Sequence, residues 1–199
     1  RLDRVKRISL YASAGAIREK SIADLKHLKQ LGLDRVYLGV ESGDDEVLLA
    51  VRKKETAATL ESAGRKIIEA GLFLSTTIIS GLAGPKGSSR HASLTAELLN
   101  RISPNQIAAL TLIPMENTAL GRVVLEKRFT LLSPAEILEE LKLLVERLTV
   151  DRSQFAANHA SNYLPVTGRL QRDKTRIIRE LENALRGRSA LVPEYSRRL

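Results

Sequence analysis

A carboxylate, a hydroxyl and a glycine stand together at Glu41-Ser42-Gly43, directly after the apolar run Val36-Tyr37-Leu38-Gly39-Val40. A carboxylate in such a place accepts hydrogen bonds from an amino group or a sugar hydroxyl, or serves as an acid or base. The glycine lets backbone groups approach a ligand closely. Comparable sets follow three other apolar runs. Tyr11, Ser13 and Gly15 come after the first, and Ser80-Gly81-Leu82-Ala83-Gly84-Pro85 after the third. Pro114-Met115-Glu116-Asn117-Thr118 follow the fourth. Strand alternation puts Tyr37, Gly39 and Glu41 on one side. Ser75 and Thr77 share a parity that would line an interior, and Thr111 is read the same way. The rival reading of Glu41 is a helix cap, shared with Asp44 and Asp45, which suit a helix N-terminus.

The elements that must position these groups alternate. Ile8 to Ala12 reads as a strand. Ser21 with Asp24 opens a helix carrying Ile22, Leu25, Leu28 and Leu31, closed by Gly32. Arg35 to Val40 is the second strand. Thr56 starts a helix with Leu60, Ala63, Ile67 and Ala70 on one side, again followed by glycine, Gly71. Leu72 to Ile79 is a strand. Ser88 to Ile102 is a helix stopped by Pro104, and Gln106 to Ile113 is a fourth strand. The βαβαβαβ order implies parallel strands and right-handed crossovers, with all four tips on one edge of the sheet. Ser133-Pro134-Ala135-Glu136 then caps an amphipathic helix through Leu148, and Gln171 to Arg186 forms a last one. Between them Phe155 to Gly168 reads as a loop or short extended piece. The expected organisation is a partial parallel (β/α) barrel over 1–130, a helical extension packed on it over 131–187, and a tail over 188–199 that carries no periodicity and is open to disorder. Four parallel strands do not close a barrel. The first strand is therefore expected to be an open edge that invites self-association.

Composition excludes several classes. The 199 residues contain no cysteine, so the chain itself supplies no disulfide, no thiolate zinc site and no thiolate iron–sulfur site. No metal-ligand spacing joins His27, His91 and His159. The stretch Gly81 to Gly87 reads as a mobile loop and is no P-loop, because Lys86 is followed by Gly87. No apolar run is long enough to span a bilayer and Arg1-Leu2-Asp3-Arg4 has no signal-peptide character, so a cytoplasmic protein is expected. The missing initiator Met points to a fragment or a processed chain. The net charge of +9 gathers at the two ends: residues 1–20 hold six basic and two acidic groups, residues 168–199 nine and four. Nucleic acid or another polyanion is one partner such ends would fit.

Four pieces resemble the radical SAM superfamily, in order: ISLYASAG (Ile8 to Gly15), GLDRVYLGVESGDDEVL (Gly32 to Leu48), AGLFLSTTIISGLAG (Ala70 to Gly84) and PNQIAALTLIPMENTAL (Pro104 to Leu120). They are similar to the third to sixth strands of that family's (β/α)6 barrel. The His159 region and the final helix resemble bacterial members known as Fe–S oxidoreductases. The family's CxxxCxxC segment, its first two strands and its glycine-rich motif are not in this chain. The resemblance implies a full-length enzyme that binds S-adenosylmethionine on a [4Fe–4S] cluster and generates a 5′-deoxyadenosyl radical. On that reading Glu41 and Ser42 contact the ribose or methionyl end, Ser13 assists, and Ile78 or Ile79 with Gly81, Leu112 and Pro114 flank the adenine. No residue here serves as a cluster ligand, no cofactor is expected on this chain alone, and the chain is expected to be inactive by itself. Two other readings stand beside it: a non-enzymatic basic α/β module binding RNA or another polyanion, and an unrelated barrel enzyme with Glu41 as acid or base.

Overall fold

Alternating apolar and polar residues assign each strand a covered face and an open face, and the covered faces dictate where the helices lie. The computed structural model describes residues 7–198; Leu199 and the N-terminal basic residues Arg1, Arg4 and Lys6 lie outside the described residues. The elements run β1 (Ile8–Ala12), α1 (Ala14–Arg18), α2 (Ile22–Gln30), β2 (Leu33–Glu41), α3 (Asp45–Ala50), α4 (Ala57–Glu69), β3 (Phe73–Ser80) and α5 (Gly84–Ile102). They continue with β4 (Gln106–Thr111), α6 (Ala119–Leu125), α7 (Pro134–Arg147), β5 (Gln154–Ala157), β6 (Val166–Arg169) and α8 (Lys174–Leu185). One sheet takes the strands in chain order. Neighbours from β1 to β5 pair in parallel, and β6 pairs antiparallel to β5.

The sheet is larger than the four strands expected. β5 and β6 extend it within the stretch read as a loop or short extended piece, because strands of four residues are too short to show a clear alternation. Helix α5 begins at Gly84 rather than at Ser88, with Pro85 in its first turn. Proline's missing N–H and fixed φ are suited to that position. The stretch expected as a mobile loop, Gly81 to Gly87, is therefore largely helix. The three capping boxes Ser21/Asp24, Thr56/Thr59 and Ser133/Glu136 form as two-way hydrogen bonds.

On the covered face, Val36, Leu38, Val40, Leu74, Ile78, Ile107 and Phe155 are buried against Leu60, Ile67, Leu98, Leu99, Leu144 and Val145 of α4, α5 and α7. Each fully buried aliphatic side chain of this kind contributes about 1.5–3 kcal/mol. The tip of β2 presses so closely on α5 that a Cβ at Gly43 would lie 2.3 Å from the carbonyl oxygen of Leu94. The Gly43 N–H donates to Thr95 Oγ1 at 2.9 Å in the same contact.

A buried polar brace joins the tips of β2 and β3. His91 Nε2 lies 3.2 Å from the carbonyl oxygen of Ile79. A carbonyl only accepts, so Nε2 carries a proton; in the neutral ring Nδ1 then accepts from the Ser42 hydroxyl at 2.9 Å. The Ser42 oxygen in turn accepts from the Asp44 N–H at 2.9 Å. From α7, Glu140 accepts from the Gly81 N–H at 2.8 Å and from the Ser88 hydroxyl at 2.6 Å. Ser42, His91 and Glu140 are all buried. Interrupting such a network leaves donors with no water to turn to.

Two predictions follow from these contacts. Glu140→Ala orphans the buried Gly81 N–H and the half-buried Ser88 hydroxyl and should lower stability by about 2 kcal/mol, seen as a lower urea midpoint; exposed Glu139→Ala should stay within about 0.5 kcal/mol. Equal effects of the two would contradict the brace. No strand among the described residues pairs with the outer edge of β1, where Ile8, Leu10 and Tyr11 are exposed. Sedimentation equilibrium should show self-association that Leu10→Lys reduces; a clean monomer at high concentration would contradict it.

Candidate functional site

The open face of the sheet carries the groups that can meet a ligand. Strand pairing lines up Tyr11, Tyr37, Ser75, Gln106, Gln154 and Arg169 across it, and next to them Gly39, Thr77, Ala108, Ala156 and Thr167. Toward the strand starts, the Arg35 guanidinium lies 4.1 Å from the Phe73 ring centroid and 5.7 Å from that of Tyr37. Tyr37 stacks on Tyr11 at 4.8 Å.

At the other end of β2 stands Glu41. Its φ of 63° and the break in register between Gly39 and Glu41 turn its side chain back along the open face. A Cβ on Gly39 would lie 2.4 Å from Glu41 Oε1, so the glycine makes the space that the carboxylate occupies. Lys53 Nζ approaches Glu41 Oε1 at 3.8 Å and Glu55 at 3.8 Å. Burial pushes the Glu41 carboxyl above its ordinary value, Lys53 pulls it back, and Glu55 adds a smaller upward push. The result is a half-buried carboxylate on the open face beside a cation, an acceptor and a donor side by side.

The other residues singled out in the sequence fall in three places. Ser42 is enclosed in the brace behind the tip, with its hydroxyl committed to His91 and Asp44. Ser13 caps α1 by accepting from the Ala16 N–H at 3.2 Å. Ile78 faces the helices, because it shares parity with buried Leu74; the open-face neighbour is Ile79. That corrects the choice between the two isoleucines. Thr111 is likewise corrected. It is buried off the open face, its hydroxyl donating to Asn162 Oδ1 at 2.9 Å. Gly81, Leu112 and Pro114 do come together, lining one cavity at the β3 and β4 tips with Leu132, Ile137 and Tyr163. Asp44 caps α3, as the alternative reading of that acidic cluster expected, while Asp45 accepts from the Ala57 N–H at 2.7 Å.

The chain's own tail walls that cavity. Arg197 is nearly enclosed; its guanidinium donates to the carbonyls of Ser161 at 2.6 Å and Leu112 at 3.1 Å, pairs with Glu194 at 2.7 Å, and bonds to and stacks on Tyr163. Tyr163 donates to Glu194 at 2.6 Å, and burial with that bond pushes its phenol up to about 12. The tail open to disorder is thus tied to the β4 tip through the 158–163 loop, whose Ser161 and Asn162 bond to Thr111 and Ala109. The C-terminal basic surplus is also partly spent: Arg172, Arg176, Arg186 and Arg197 pair with Asp173, Glu180, Glu182 and Glu194.

Three participants escaped sequence reasoning. Lys53 sits in the run Arg52-Lys53-Lys54-Glu55, which reads as solvated charge. Arg197 sits in an aperiodic tail. Glu140 did carry a signal, an acid three residues after Ile137 on the apolar stripe of α7. Among the described residues no group of His, Asp and Glu is arranged to hold a metal ion, and no helix is long and apolar enough to cross a membrane.

Comparisons with known proteins give one family match over part of the chain and a shared fold. Residues 1–93 match the model of the radical SAM superfamily. No curated protein sequence matches. Among solved structures, Elp3 of the archaeon Methanocaldococcus infernus, lacking residues 1–46, superposes with TM-score 0.62 at 17% identity over 92% of this chain and 43% of that one. Coproporphyrinogen III oxidase (HemN) of Escherichia coli, a radical SAM enzyme, gives 0.55 at 19% over 70% and 31%. Methylornithine synthase (PylB) gives 0.52 at 18% over 73% and 40%. The chain therefore spans less than half the length of each. Over residues 1–93 the chain thus matches the radical SAM superfamily, and the chain as described shares the partial-barrel fold of these enzymes.

Proposed function

We propose that this chain supplies the later strands of a radical SAM enzyme's barrel, and that its strand tips form part of an S-adenosylmethionine site. The observation that carries the proposal is the Glu41 carboxylate, held over Gly39 on the open face beside Lys53. S-adenosylmethionine presents a ribose diol, an amino acid end and an adenine. Glu41 accepts from the diol or the ammonium group, and Lys53 offers a partner for the carboxylate. Ile79, with Leu112 and Pro114, gives the adenine an apolar edge. Ser42 acts through the turn that carries Glu41, and Ser13 through the start of α1. The chemistry such a cofactor supplies in this superfamily is removal of a hydrogen atom from a substrate.

The [4Fe–4S] cluster does not fit these residues. The chain has no cysteine, and its described residues hold no alternative ligand cluster. No step through a cluster is assigned to it, and on this reading the chain is inactive by itself.

Two measurements test the proposal. S-adenosylmethionine binding by the complete enzyme that carries this chain's strands, followed by equilibrium dialysis, should weaken about tenfold in Glu41→Ala, the scale of one hydrogen bond to a charged group. Gly39→Ala should weaken it too by displacing the carboxylate, with the fold kept. In the parent chain binding should fall as pH drops through the raised value of the Glu41 carboxyl, which loses its negative charge there. Binding indifferent to both substitutions would contradict the site. Iron–sulfur reconstitution of the chain alone should give no charge-transfer absorption in the visible range; a stable [4Fe–4S] spectrum would overturn the assignment of the cluster to residues outside it.

A further inference from the structure

The open face carries a second set of groups, at the end of the sheet opposite Glu41. Arg35 and Glu41 lie six positions apart on β2, about 20 Å along a strand. Arg35 is partly buried and has no carboxylate partner among the described residues; its side chain reaches only Tyr37 Oη at 3.3 Å and Gln106 Oε1 at 3.5 Å. Both bonds are long, and a guanidinium has five N–H donors. Phe73 covers one face of the guanidinium at 4.1 Å and Tyr37 meets it through its hydroxyl, which leaves further N–H donors for an anion. Beside it, Tyr11 stacks on Tyr37 and is 84% exposed, so one face of an ordered tyrosine pair is open to solvent.

A partly buried cation without an acid is costly unless an anion completes it. A stacked aromatic pair open to water likewise offers a surface that a flat ring covers favourably. A nucleotide unit carries both complements, a base for the tyrosines and a phosphate for the arginine fork. We propose that the Tyr11–Tyr37–Arg35–Phe73 row binds a nucleotide unit, with the base stacked on Tyr11 and the phosphate on Arg35. Gln106 and Gln154 lie in register beside the row and supply amides for the base edge; the Gln154 side chain makes no hydrogen bond among the described residues. The net charge of +9 favours the encounter. The site lies at the opposite end of β2 from Glu41, and its open tyrosine face belongs to the 199-residue chain, in which no strand among the described residues flanks β1 on its outer side.

The unit comes either from a free nucleotide or from a single-stranded nucleic acid, and one titration separates the two. A short fluorescent oligouridine strand is bound to the 199-residue chain and followed by anisotropy, with unlabelled uridine monophosphate as competitor. Displacement by the monophosphate supports a mononucleotide pocket; retention of the strand against it supports a strand site. In either case Tyr11→Ala should weaken binding about tenfold. This exposed position should not disturb the fold. Arg35→Gln should weaken binding and lower the salt slope by about one contact. Arg65→Gln, on α4 at the covered side, is the control for general charge and should change little. Absence of binding by both probes at low salt overturns the proposal. So does binding that Arg65→Gln reduces as much as Arg35→Gln while Tyr11→Ala leaves it intact.

Discussion

The arrangement of the strand tips depends on one buried network. Glu140 reaches from α7 to hold Gly81 and Ser88, while His91 reaches from α5 to hold Ile79 and Ser42. Each of these groups would carry an unmet desolvation cost without its partner, so the network is satisfied as a whole or not at all. Its effect is to lock the ends of β2 and β3 together. Glu41 follows Val40 and precedes Ser42, so its unusual backbone turn is clamped on one side by the sheet and on the other by the brace. The carboxylate on the open face is placed by residues that lie behind it.

The same sheet sets out two chemistries at its two ends. A partly buried carboxylate beside a lysine lies at the carboxyl end of β2, and an arginine among aromatic rings lies near its start. The helices never contribute to the open face; they fill the covered one with aliphatic side chains. This division lets the core be almost wholly Leu, Ile, Val and Ala while every tyrosine and phenylalanine of β1, β2 and the start of β3 remains on the ligand side.

Much of this was legible in the residues. The βα alternation, the capping boxes and the parallel order rest on local spacing, and local spacing survives folding. The radical SAM resemblance was carried by strand tips, and both the family match and the shared fold agree with it. What was hidden depended on contacts between distant segments. Ile78 was misplaced because parity alone does not say which face a wholly apolar stretch turns to the helices. Thr111 went to the loop at Ser161 and Asn162, some fifty positions away. β5 and β6 exist because β4 offers them an edge, and the tail is ordered because Arg197 finds carbonyls to bond. Ser42 was read as a ligand contact when its partner His91 could not be foreseen across 49 positions.

The central claim is that braced tips of β2 and β3 present half of a cofactor site. Amide hydrogen exchange of these strands within the complete enzyme, with and without S-adenosylmethionine, tests it most directly, because it reads each tip separately. The account predicts slower exchange on adding the cofactor at residues 39–42 and 79–82, with β1 and α8 unchanged. Protection spread evenly along the chain, or confined to segments away from these tips, would contradict it.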